Sequence, residues 1–116
     1  MPSVLSPLRY PGGKAKLYKL IQPIVSMNVS GNNRIYIEPF AGGAGLALKL
    51  LFNNDVDILM LNDIDYQIYC FWNSCLYNTD QFCDFIMNSN VDIDTWKIQK
   101  SIYLSSGSYS EMYTQD

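Results

Sequence analysis

Apolar positions in the first quarter of the chain repeat with the period of a helix. Beginning near Ala15, they follow the i, i+3, i+4, i+7 spacing of a helix face that packs on a core. The positions are Leu17, Leu20, Ile21 and Ile24. Pro23 lies in the same stretch and, because it has no N–H to donate, predicts that the helix ends or kinks there. We therefore expect an amphipathic helix in this region.

Two short runs of strand-forming residues flank a glycine-rich segment. Residues 34–38 form the first run, and Pro39 stops it because proline cannot donate to a strand ladder. Residues 57–61 form the second run, whose nearly unbroken apolar character is typical of a strand buried on both faces. Between them, the glycines of 40–45 lead into strong helix formers at 46–52. This order predicts a right-handed βαβ unit with parallel strands.

The second half of the chain predicts helices. A helical stripe of apolar residues runs through 64–75. Another helix is expected after a cap at Thr79 or Asp80, since both residue types accept hydrogen bonds from a helix N-terminus. Residues 94–104 are expected to be helical too.

Composition and charge narrow the class of protein. The 116 residues, 48% hydrophobic and 16% charged, suit one folded domain or part of one. Six Lys/Arg and one acid lie in residues 1–50, whereas two Lys and ten acids lie in residues 51–116, so the halves carry +5 and −8. A basic half suits a phosphate-bearing partner. No apolar run approaches the roughly 18 residues of a membrane span, and the first residues lack a signal peptide's apolar region, so we predict a cytoplasmic protein.

Missing and sparse residue types exclude several kinds of chemistry. The chain has no histidine, which excludes Ser/His/Asp and Cys/His nucleophile systems and most transition-metal sites. Its three cysteines, Cys70, Cys75 and Cys83, fit neither a paired disulfide framework nor close zinc-binding pairs, and are expected to be reduced core thiols. We predict no metal site. Any chemistry must therefore use carboxylates, amides, lysine, tyrosine or a cofactor.

The glycine turn and the acid after the second strand together indicate a ligand. A glycine turn between strand and helix brings backbone N–H groups close to a ligand, although it can also serve only tight packing. Leu48 departs from the dinucleotide fingerprint, and no Gly-Lys-Ser/Thr of a P-loop occurs. Asp63 lies 18 positions after Gly45, close to the offset at which an acid binds a ribose. The pair favours an adenosine-type ligand. The alternative is that Asp63 only caps the next helix, although Asp65 could provide that cap instead.

Three motifs occur in order along the chain: RYPGGK at 9–14, YIEPFAGGAG at 36–45 and LNDID at 61–65. Over roughly residues 7–75 they resemble the N-terminal half of the Dam-like (D12 class, alpha-type) adenine-specific DNA methyltransferases. The resemblance implies an α/β, Rossmann-like S-adenosylmethionine-dependent methyltransferase fold, of which this chain would supply the N-terminal portion. It also implies methyl transfer from S-adenosylmethionine to the exocyclic amino group of adenine in double-stranded DNA.

The same resemblance assigns roles to individual residues. Tyr10 and Lys14 match the opening motif, which lies beside the cofactor in the family. The positions that match the turn around the methionine part are Glu38, Phe40, Gly42 and Gly45. Asp63 matches the acid that holds the ribose. Arg9 and Lys16 could face DNA phosphates or simply be solvated.

One motif of that family is missing from this sequence. The catalytic Asp-Pro-Pro-Tyr, which accepts hydrogen bonds from the adenine amino group and stacks on the flipped base, needs adjacent prolines, and none follows Pro39. We therefore expect a truncated chain, inactive alone, with residues 1–78 in the cofactor-binding domain and 79–116 beginning a helical target-recognition region. Such a fragment is expected to self-associate.

Two other functions stay open on the residues alone. One is a non-catalytic remnant or interaction module that binds an adenosine-like ligand. The other is a different Rossmann-like enzyme with a nucleotide cofactor, which the glycine spacing disfavours.

Overall fold

A computed structural model describes residues 5–106 of the protein, and its contacts divide the chain into two units, Met1–Asp63 and Ile64–Asp116. The first unit contains a 3₁₀ helix at Lys14–Leu17, α1 at Tyr18–Asn28, β1 at Ile35–Glu38, α2 at Gly45–Phe52 and β2 at Ile58–Leu61. The second unit contains α3 at Tyr66–Tyr77, α4 at Thr79–Asn88 and α5 at Ile93–Ser105. The chain is therefore a mixed helix and strand protein with a small parallel sheet.

The strand, helix, strand order of the first unit agrees with the prediction from the sequence. β1 and β2 pair in parallel, with Ile35 opposite Ile58 and Glu38 opposite Leu61. Each strand begins one residue later than predicted. The matched register brings the carboxyl ends of both strands, and the loops that follow them, to the same edge of the sheet.

The hydrophobic core of the first unit lies on one face of this sheet. Its most buried members are Leu46 and Leu50 of α2 and Val56, which precedes β2. Tyr36 of β1 and Leu59 of β2 pack against them, as do Tyr18, Ile21 and Val25 of α1. Both helices thus contribute side chains to the core on this face of the sheet.

The prediction that the second strand is buried on both faces is wrong for this structure. Ile58 and Met60 are 41% and 54% exposed, and on β1 their register partners Ile35 and Ile37 are 47% and 61% exposed. Because the core of this unit lies on the opposite face, these four side chains form a half-exposed apolar face in the described part of the chain.

The first helix is present, but its buried side differs from the predicted one. Leu17, Leu20 and Ile24 are exposed, and only Ile21 of the predicted stripe packs on the core. The helix does not end at Pro23, one of the two outcomes predicted there, but continues to Asn28. Tyr18 and Val25 complete the buried side of the helix. The spacing of aliphatic residues alone did not predict that Tyr18 packs on the core.

An ion pair fixes the start of the parallel sheet. Arg34 and Asp57 immediately precede the two strands, and the guanidinium Nη2 lies 2.8 Å from the Asp57 Oδ1. The backbone N–H of Arg34 donates to the same carboxylate at 2.9 Å, and its carbonyl accepts from the N–H of Asp57 at 2.8 Å. Hydrogen bonds from the Arg34 side chain and backbone lower the pKa of Asp57 from 3.8 to about 2.

This pair predicts a pH dependence of stability. Because folding lowers the pKa of Asp57, its stabilising effect is fully present above about pH 4 and is lost as the pH falls towards 2. The melting temperature of the wild type should therefore fall more between pH 4 and 2 than that of Asp57→Asn, measured by circular dichroism. Asp94→Asn, which alters a carboxylate 92% exposed, is the matched control and should keep the wild-type slope. Parallel curves for wild type and Asp57→Asn would contradict this prediction.

The second unit is helical in the part that the structure describes. Asp65 caps α3 by accepting from the N–H of Gln67 at 3.0 Å. The predicted cap at Thr79 or Asp80 is wrong: Asn78 precedes α4 without a side-chain hydrogen bond, and the Thr79 hydroxyl instead donates to the carbonyl of Cys75. Because α4 follows α3 after a single residue, the Thr79 side chain at the start of α4 satisfies a backbone carbonyl in the last turn of α3. No helix among residues 5–106 is long and apolar enough to cross a membrane.

Candidate functional site

The candidate site is built on the turn between β1 and α2. Its residues Ala41, Gly42, Gly43 and Ala44 are all buried. Gly42 has φ +47° and Ala44 has φ +50°, both in the left-handed region, and the N–H of Ala44 donates to the carbonyl of Ala41 at 2.6 Å. A residue with a side chain adopts this backbone only when its surroundings hold it there. The backbone of the turn therefore has a specific conformation that its neighbours hold in place.

Asn62 ties this turn to the end of β2. Its backbone N–H donates to the carbonyl of Glu38, and its carbonyl accepts from the N–H of Ala41, both at 2.9 Å. Its side-chain amide donates to the carbonyl of Pro39 at 3.1 Å. One residue thus holds the backbone on both sides of the proline that ends β1.

Asp63 lies against the glycine turn. Its Oδ2 accepts from the N–H of Gly42 at 2.8 Å. The next helix is capped by Asp65 and not by Asp63, which removes the capping role that the sequence left open. The structure therefore brings together the acid and the glycine turn that the sequence predicted to act as a pair.

The opening motif packs directly on the same turn. A Cβ built on Gly42 would lie 2.8 Å from Cδ1 of the Tyr10 ring. On Gly43, a Cβ would lie 2.7 Å from the backbone oxygen of Leu8, and on Gly45 it would lie 3.1 Å from the Cβ of Ala15. These glycines are thus needed for close approach of the N-terminal segment, including Tyr10, to the turn.

A lysine, a carboxylate and a tyrosine form a polar cluster at the end of β1. Lys14 Nζ lies 3.1 Å from Glu38 Oε1 and also donates to the carbonyl of Phe40. The Tyr36 hydroxyl donates to Glu38 Oε2 at 3.1 Å. Glu38 is only 5% exposed. Both of its oxygens are therefore satisfied although the carboxylate is buried.

The remaining sequence-predicted residues lie at the periphery. Phe40 is 72% exposed, so only its carbonyl joins the cluster. Arg9 and Lys16 are exposed, and no carboxylate pairs with either of them among residues 5–106. Within the same range, no three His, Cys, Asp or Glu residues are grouped so as to hold a metal ion.

The comparison with protein families decides what kind of chain carries this site. The model of the D12 class N6 adenine-specific DNA methyltransferases matches residues 10–114. The chain belongs to this family. Neither the curated proteins nor the solved structures give a significant match. The matched region of this D12 class chain begins at Tyr10 and contains all seven residues that the family resemblance assigned to the cofactor.

Two residues of this site, Tyr36 and Asn62, were not predicted from the sequence. Tyr36 lies two positions before Glu38, and such residues share a face of a strand, so their contact could have been inferred. Asn62 directly precedes Asp63, but its contacts depend on the register in which β1 pairs with β2, which no local pattern specifies. Both residues hold backbone or carboxylate groups of the turn in place.

Proposed function

We propose that the turn between β1 and α2 binds S-adenosylmethionine, and that this chain is the cofactor-binding part of an enzyme that methylates the exocyclic amino group of adenine in DNA. The observation that carries this proposal is the hydrogen bond between Asp63 and Gly42, at the ends of two parallel strands. Ligands of open α/β sheets bind at this edge. The Rossmann-like fold of the complete enzyme is part of the proposal.

The chemistry of S-adenosylmethionine fits the residues present. Its ribose hydroxyls would donate to the Asp63 carboxylate, and its amino group and sulfonium are cations that Glu38 and the ring of Tyr10 would attract. Its own carboxylate suits Lys14 and the N-terminus of α2, where no side chain caps the helix. The bound cofactor supplies the methyl group, while these residues hold and orient it.

A basic segment before the turn supports DNA as the partner. Arg9, Lys16 and Lys19 are exposed, and none of them has an ion-pair partner in the described part of the chain. By contrast, Lys14 and Arg34 pair with carboxylates. Unpaired cations on one short segment favour a polyanion and would bind phosphates without reading the base sequence.

The catalytic step would need residues that this sequence does not contain. Adenine's amino nitrogen becomes nucleophilic when acceptors bind its N–H groups, and the family's Asp-Pro-Pro-Tyr cannot occur after Pro39, where no proline remains. This favours cofactor binding over catalysis for the 116 residues. We retain as a proposal that residues 1–78 belong to the cofactor-binding domain and that 79–116 begin the target-recognition region.

Calorimetric titration with S-adenosylhomocysteine tests the site. Asp63→Ala should weaken binding by about 5- to 150-fold, since a charged acceptor contributes roughly 1–3 kcal/mol. Asp63→Asn should lose less, because an amide oxygen can still accept from the N–H of Gly42. Asp65→Ala is the matched control: it removes the α3 cap and should leave the affinity unchanged. Equal affinities of wild type and Asp63→Ala would exclude Asp63 from the site, and no binding by the wild type would overturn the proposal.

A further inference from the structure

Tyr36 is a core residue of β1 with a polar end. Its ring packs against the cluster of Leu46, Leu50 and Val56, whereas its hydroxyl donates to Glu38 Oε2 at 3.1 Å. Residues two apart on a strand point to the same face. The ring is therefore held by the core, and its hydroxyl reaches the last residue of the strand, where the candidate site begins.

The Glu38 carboxylate depends on two partners from different segments. Lys14 contacts Oε1 at 3.1 Å from the opening motif, and Tyr36 contacts Oε2 from within the strand. Since Glu38 is 5% exposed, water cannot replace a partner that is lost. A buried carboxylate without one of its hydrogen bonds is destabilised or moves to find another.

The Tyr36 hydroxyl has a raised pKa, which favours its role as a hydrogen-bond donor to Glu38. Burial raises the pKa of Tyr36 to about 12, with further contributions from the neighbouring charge of Glu38 and from their hydrogen bond. At neutral pH the hydroxyl therefore keeps its proton and can donate to the Glu38 carboxylate.

We propose that Tyr36 is a positioning residue of the cofactor site, whose hydroxyl fixes the Glu38 carboxylate where the methionine part of S-adenosylmethionine binds. This inference rests on the proposed function. In this role Tyr36 would touch neither the cofactor nor the reacting atoms. It acts through Glu38, so its effect should be confined to the end of the ligand that Glu38 faces.

Two ligands and one control variant test this. S-adenosylhomocysteine carries the amino-acid part, whereas 5′-methylthioadenosine lacks it and keeps the adenosine. Tyr36→Phe should weaken binding of the first by about 3- to 10-fold, as expected for one hydrogen bond, and change the second by less than twofold. Tyr18→Phe is the matched control, because it removes a hydroxyl that donates to Asp55 at 2.6 Å in the same unit. It should change neither affinity.

A double-mutant cycle completes the test. If Tyr36 acts through Glu38, Tyr36→Phe should have no further effect on S-adenosylhomocysteine binding when Glu38→Gln is already present. Equal weakening of both ligands would show a purely structural role and overturn the inference. Unchanged binding of S-adenosylhomocysteine would do the same. If the wild type binds neither ligand, the proposed function itself is overturned. This outcome differs from those that overturn only the role of Tyr36.

Discussion

Replacing Gly43 by alanine should strongly destabilise the first unit. The added Cβ would lie 2.7 Å from the backbone oxygen of Leu8 and 3.2 Å from the Cβ of Tyr10, so backbone and not a flexible side chain would have to move. Overpacking of this kind costs about 1–3 kcal/mol, a large share of the stability of a small domain. Urea unfolding followed by circular dichroism should show a clearly lower midpoint.

Gly13→Ala is the matched control for this substitution. Gly13 has φ −55°, which alanine adopts without strain, and the nearest described atom to its added Cβ would be the backbone oxygen of Tyr10 at 3.5 Å. We expect its midpoint to equal or exceed that of the wild type, because alanine restricts the unfolded chain. Indistinguishable midpoints for the two variants would mean that the N-terminal segment does not lie against the turn.

The 116-residue chain should transfer no methyl group to DNA. Its sequence lacks the proline pair of the family's acceptor motif, since Pro39 is the last proline, and without those acceptors the adenine amino group is a poor nucleophile. Incubation with tritiated S-adenosylmethionine and adenine-containing duplex DNA should give incorporation no higher than a buffer control. An active adenine methyltransferase in the same assay serves as the positive control. Reproducible incorporation that Asp63→Ala abolishes would show that this chain supplies a different acceptor.

Local patterns predicted the order of elements because each depends on neighbouring residues. The apolar runs at 34–38 and 57–61 and the helix formers at 46–52 gave the β1, α2, β2 unit nearly to the residue. The buried side of α1 was mispredicted, because which side chains are buried depends on what the helix packs against. Tyr18 illustrates this: it lies in the core while its hydroxyl reaches Asp55, a residue 37 positions away.

The candidate site shows the same division between local and distant contacts. Asp63 and Gly42 were expected together because strand ends in a parallel unit share an edge, and the structure joins them at 2.8 Å. The contacts of Lys14 with Glu38 and Phe40 join segments more than 20 residues apart. Only the resemblance to a family linked these segments, and it named the residues without giving their geometry.

The hydrogen bonds from Asn62 and Asp63 to the turn between β1 and α2 should affect how fast a ligand binds. Backbone groups of Glu38, Pro39, Ala41 and Gly42 are all held by hydrogen bonds from the end of β2. A ligand that arrives at such a preorganised turn need not order it, so little of the binding free energy is spent on restricting the loop. Association at this site would then be limited by diffusion and access rather than by a slow conformational step.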